Sequence, residues 1–175
     1  ILRNSDALFR INEVRKFTIE NKEGLPDYTN VYVDDMDSLV DYKNIEENGT
    51  NGKIAIVKAD INNLGQFFTE AKTYDEYIRI SDYLKKTISL EYFAEKLRES
   101  RLFKKVLPIY IAGDDIFYAV KMDAVLQTVK VLKKMVEEMN KKISKNTNNT
   151  LSLAVGCVFV NNHQPIRYYR DVVEE

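Results

Sequence analysis

The runs VLPIYIA (106–112) and DIFYAV (115–120) are rich in apolar, β-branched and aromatic residues, and only Gly113 and Asp114 separate them. Two strands joined by so short a connection have one arrangement open to them, a tight antiparallel hairpin. Gly113 supplies the backbone freedom that such a turn demands. The same hairpin carries Asp114 and Asp115, two adjacent like charges set between apolar runs, and core formation does not account for them.

Around the hairpin the apolar period predicts the remaining elements. KIAIVKAD (53–60) is a short β-branched run that ends on Asp60, the signature of a buried strand with a charged end. NNLGQFFTEAK predicts a helix, and the three- and four-residue spacing in YDEYIRISDYLKKTISLEYFAEKLRES predicts a second, single long one. A further helix over MDAVLQTVKVLKKMVEEMNKKIS presents Val125, Val129, Leu132, Met135, Val136 and Met139 on one face. NTNN then turns the chain into the strand TLSLAVGCVFV, and PIRYYRDVVEE starts a last helix with Pro165 near its first turn. Strand, helices, strand, strand, helix, strand, helix is the order of an α+β, ferredoxin-like palm: a four-stranded antiparallel sheet with helices on one face. This domain is expected over residues 53–175. Residues 1–52 mix short apolar runs such as VYV with acidic stretches and end in the loop-like NIEENGTNG, which predicts an accessory segment or linker.

Composition narrows the partners. The 26 basic and 27 acidic residues leave a net charge of −1, so there is no strong intrinsic nucleic-acid patch and no field to draw the chain to an anionic membrane. No apolar run approaches about 20 residues and no charged-then-apolar leader opens the sequence, which predicts a cytoplasmic protein without a membrane span. A start at Ile1 rather than Met suggests a piece cut from a longer chain or a start lost to disorder, with missing flanks that could hold other functions. One cysteine, Cys157, excludes an internal disulfide and a multi-thiolate zinc site; it is expected as a small core residue. His163, the only histidine, lies in the polar turn VNNHQP and is expected to be exposed and without a role.

In a palm sheet the first strand lies beside the central hairpin, so Asp60 approaches Asp114 and Asp115. Carboxylates gathered on one edge repel unless a cation neutralises them, and a hard divalent ion with oxygen ligands, Mg²⁺ or Mn²⁺, is the natural candidate.

These residues carry a resemblance. KADINNLG, IYIAGDDIFYAV and LSLAVGCVFVNNHQPI, in this order, resemble the palm domain of the large subunit of type III CRISPR effector complexes, the Cas ten family, itself similar to GGDEF nucleotide cyclases. The resemblance implies that ATP binds at the hairpin and is joined into cyclic oligoadenylate second messengers in antiviral defence. It implies catalytic roles for Asp60, Asp114 and Asp115, with Asp60, Asp115, the Ile61 carbonyl and Asp114 around the metal. It also implies nucleotide contacts from Ile61, Asn62, Asn63, Gly65, Ser81, Ala112 and Gly113. Other subunits of the RNA-guided complex, or a second palm domain, are the implied partners. Lys58, Arg167 and Arg170 are candidate triphosphate partners, each with a solvated surface charge as the simpler reading.

Two departures from the family pattern bear on activity. Ala112 stands where the family has a first glycine, and Asn62 stands where it often has an aspartate. Two alternatives therefore stand beside the first reading. One is a palm cyclase that makes a cyclic dinucleotide, as minimal CRISPR polymerases or diguanylate cyclases do. The other is a degenerate, non-catalytic palm that binds nucleotide.

Overall fold

The computed structural model describes residues 27–40, 52–69, 71–143 and 150–174. Its strands are β1 (Lys53–Asn62), β2 (Val106–Ala112), β3 (Asp115–Val120) and β4 (Ser152–Asn161). Its helices are α1 (Leu64–Thr69), α2 (Tyr74–Thr87), α3 (Leu90–Glu99), α4 (Val125–Ile143) and α5 (Ile166–Glu174). The strands form one sheet in the order β2-β3-β1-β4, and every neighbouring pair is antiparallel, as the sequence predicts.

Because side chains alternate along a strand, β1 feeds two cores. Ala55, Val57, Ala59 and Ile61 join Ile116, Tyr118 and Val120 beneath α2, α3 and α4, whose Leu84, Phe93, Leu97, Leu132 and Met135 close that core. Of the six apolar residues assigned to one face of α4, five are buried, and Val129 packs against them at the margin. Ile54, Ile56, Phe117 and Ala119 point the other way. They are covered by Tyr169 of α5 together with Val33, Leu39 and Val40. The helical layer is where the sequence puts it, and α5 crosses the opposite face as an addition. Tyr169 is fully buried there, its hydroxyl donating to the Asn161 carbonyl and accepting from the Gln164 amide. Burying a ring of this size contributes about 1.5–3 kcal/mol.

Two expectations need correction. The single long helix over 74–100 is two helices, because Ser89 adopts extended geometry (φ −143°, ψ 157°) and its hydroxyl accepts from the Tyr92 amide as the cap of α3. Cys157 is exposed rather than in the core. It lies on β4 at the margin of the sheet, where Val155 and Phe159, on the same side of the strand, are also exposed. Residues 27–40, within the accessory segment, pack against the sheet. The Val33 amide donates to the Val106 carbonyl, the Lys104 amide donates to the Val31 carbonyl, and Val31 and Val33 enter opposite cores around the β2 edge. A covered edge strand offers fewer free backbone groups to another chain. The rest of the accessory segment and the NTNN turn lie outside the described residues.

Leu151, just before β4, is held by a side chain. Asn140 of α4 donates from Nδ2 to the Leu151 carbonyl at 2.9 Å and accepts from the Leu151 amide at 2.8 Å. Both backbone groups of Leu151 are thus satisfied by a side-chain amide that mimics a strand neighbour.

Candidate functional site

The hairpin closes with Ala112 opposite Asp115, leaving Gly113 and Asp114 as the two turn residues. Gly113 has φ +64°, in the left-handed region, which matches the preference of type II′ turns for glycine at the first central position. A Cβ there would meet nothing within 4 Å, so the demand for glycine is conformational and not steric. Ala112 keeps ordinary strand geometry, and its methyl group stands at the exposed end of β2.

On the neighbouring strand Asp60 is the register partner of Asp115. Directly opposed residues of an antiparallel pair share a face, with Cβ atoms roughly 4.5–5.5 Å apart. The turn is tied to β1 one residue further on, where the Ile61 amide donates to the Asp114 carbonyl at 3.0 Å. The N–H and C=O of one residue leave the same side of an extended strand, so the Ile61 carbonyl also faces the hairpin. Asp114 itself is exposed at the tip.

Alternation puts Lys58 on the same face as Asp60, and its Nζ lies 3.9 Å from Asp115 Oδ1 and 2.5 Å from Glu174 Oε1. Glu174 arrives from α5 because that helix packs close on the sheet. A Cβ on Gly156, the register partner of Lys58, would stand 2.9 Å from the Val173 carbonyl. Burial pushes the Asp115 carboxyl above its usual range; Lys58 opposes the shift, and Asp114, Asp60 and Glu174 add to it. The hydrogen bond to Glu174 holds the Lys58 ammonium above its usual value.

The other residues implied by the resemblance are spread around this pair. Asn62 donates to Ser152 Oγ at 3.3 Å, and Asn63, with φ +69°, donates to the Thr150 carbonyl at 3.2 Å, so both amides bind β1 to the start of β4. Gly65, the second residue of α1, has free space around its Cβ position. Ser81 is half-buried in α2, in the layer that covers the face opposite Asp60 and Asp115, and the fold does not bring it to the pair. Arg170 pairs with its neighbour Asp171, Arg167 is exposed, and His163 lies 3.9 Å from Asp37 on the surface. Lys58, a candidate triphosphate partner in the sequence, stands beside Asp115 and Glu174. Glu174, 116 positions from Lys58, gave no signal in the sequence.

Among the described residues no three His, Cys, Asp or Glu side chains converge as an all-protein metal cage would require. The donor set is two facing carboxylates and a backbone carbonyl. This fits Mg²⁺, which is commonly held by one or two carboxylates and completes its shell with waters and substrate phosphates.

A four-stranded antiparallel sheet with this topology, a helical layer and an acid-bearing central hairpin defines a palm domain. Residues 53–175 match the family described as Cas10/Cmr2, second palm domain, and the chain belongs to that family. No curated protein matches the sequence. Among solved structures, the fold is similar to the Csm1–Csm4 cassette in complex with one ATP, at a TM-score of 0.56. It is also similar to the same cassette in complex with cA3 and to Csm1 of T. onnurineus, each at 0.55. In each case the identity is 18%, and the match covers 70% of this chain and 18% of that one. At that identity the likeness is one of fold, and the chain spans under a fifth of those proteins. Among the described residues no helix is long and apolar enough to cross a membrane.

Proposed function

We propose that this palm is a metal-dependent nucleotidyltransferase that joins ATP into cyclic oligoadenylates within a CRISPR-associated complex. The observation that carries the reading is the register pairing of Asp60 with Asp115 at the hairpin end of β1 and β3. Family membership and the description of similar cassettes in complex with ATP, cA3 and cA4 support it.

Asp60 and Asp115 would hold Mg²⁺ or Mn²⁺ with the Ile61 carbonyl, and Asp114 adds negative charge beside them. When bound, the ion lowers the pKa of an attacking ribose 3′-hydroxyl and offsets charge on the α-phosphate. The protein's own part is positional. The Ile61 to Asp114 hydrogen bond fixes the turn against β1, and Gly113 lets a nucleotide lie close to the backbone. No protein nucleophile is needed, so the lack of a histidine or cysteine near the pair is no obstacle. A second palm or another subunit would supply the remaining nucleotide contacts.

Incubation of the full chain with labelled ATP, and separately GTP, in Mg²⁺ or Mn²⁺ tests this reading. Cyclic adenylate oligomers support it. Cyclic dinucleotides favour the smaller cyclase, and nucleotide binding without turnover identifies a degenerate palm. The exposed Ala112 methyl and the Asn62 amide already engaged by Ser152 are the two observations on the side of the degenerate palm.

A further inference from the structure

Lys58 sits between two carboxylates, and its contacts with them differ. Its ammonium meets Glu174 Oε1 at 2.5 Å but stands 3.9 Å from Asp115 Oδ1, the outer limit of an ion pair. The lysine side chain is only 22% exposed, so it is packed beside the acid pair rather than waving in solvent. An ammonium on a flexible four-carbon stem next to an aspartate is a resident competitor for any cation that the aspartate is to bind. Something must hold it back, and among the described residues the one close contact that does so comes from α5.

We propose that Glu174 is a positioning residue that draws Lys58 off Asp115 and so leaves that carboxylate open to a divalent ion. The inference rests on the reading of Asp60 and Asp115 as metal-binding. It assigns the last turn of α5 a task in the site, although that helix lies on the face away from the main helical layer. The tight approach of Val173 to Gly156 sets the reach of Glu174, since both belong to the same turn. With Glu174 neutralised, Lys58 has Asp115 as its remaining acidic partner among the described residues and closes the gap. The ammonium then occupies an oxygen that the ion requires.

The test is Mn²⁺ binding to the full chain, read from the loss of the free-ion EPR signal, in four proteins: the natural chain, Glu174→Gln, Lys58→Met and the double variant. Glu174→Gln is expected to weaken Mn²⁺ binding by about fivefold, the scale of one screened ion pair. The same change in the Lys58→Met background is expected to alter binding by less than about twofold, because the competitor is gone. Equal effects in the two backgrounds overturn the inference, since Glu174 then acts through its own charge or by holding α5. Unchanged binding in Glu174→Gln overturns it as well. A natural chain that binds no Mn²⁺ fails at the earlier step and removes the metal reading itself, an outcome distinct from the other two.

Discussion

Asp60 and Asp115 stand directly opposite one another across the β1–β3 ladder, while Lys58, two residues back on β1, reaches toward the same carboxylate. Opposed like charges cost stability, and the cost falls where one is neutral.

Asp115→Asn is therefore expected to abolish nucleotide turnover and to leave the fold intact or slightly firmer. The Asp115 side chain is 42% exposed, so solvent screening limits the gain to about 0.5 kcal/mol or less. Product analysis with labelled ATP and a paired urea titration check both halves. Full turnover in the variant would remove Asp115 from the site.

The raised Asp115 carboxyl fixes the sign of a pH effect. A group that holds its proton more tightly when folded adds stability below its unfolded pKa, and that contribution disappears as pH rises through the folded value. The stability advantage of Asp115→Asn over the natural chain should accordingly be smallest in acid and grow toward neutral pH. Melting curves of both proteins from pH 3 to pH 7 measure the difference, and a gap that shrinks with rising pH contradicts the assignment.

Gly156→Ala places a methyl carbon 2.9 Å from the Val173 carbonyl, a backbone atom that cannot move alone. Overpacking of this kind costs about 1–3 kcal/mol, and here it levers α5 away from β4. Chemical denaturation should show the loss. Mn²⁺ binding should weaken with it, because Glu174 withdraws along with the helix.

Asn140→Ala removes both hydrogen bonds to Leu151, a residue only 4% exposed. Leaving its amide and carbonyl without partners costs about 1–3 kcal/mol. Faster amide exchange at the start of β4, with little change at β2, is the expected pattern.

The two hairpin positions should both lose stability on substitution, and only one of the changes should favour ATP. Gly113→Ala forces an L-residue to φ +64° and costs about 1–2 kcal/mol without any clash. Ala112→Gly costs about 0.5–1 kcal/mol through added chain freedom. It is expected to lower KM for ATP by removing the methyl group, as steady-state assays would register.

Much of this architecture was legible in the sequence because periodicity reports local geometry. The apolar stripe of α4, the β-branched run of β1 and the two-residue connection at Gly113 each reflect a residue's own neighbours, and each matches the structure. The break at Ser89 was missed because the apolar spacing runs on through it, while a single hydroxyl cap stops the helix. Cys157 was misjudged because an apolar run reads alike on a covered strand and an open one.

From its residues alone this chain had its order of elements, its hairpin and the acids the hairpin carries, since propensity and period act over a few positions. Which acid faces which, how far Lys58 stands from Asp115 and that Glu174 meets Lys58 were settled only by strand register and by the packing of α5. Those contacts join residues more than fifty positions apart, and no short-range pattern encodes a distance of that kind.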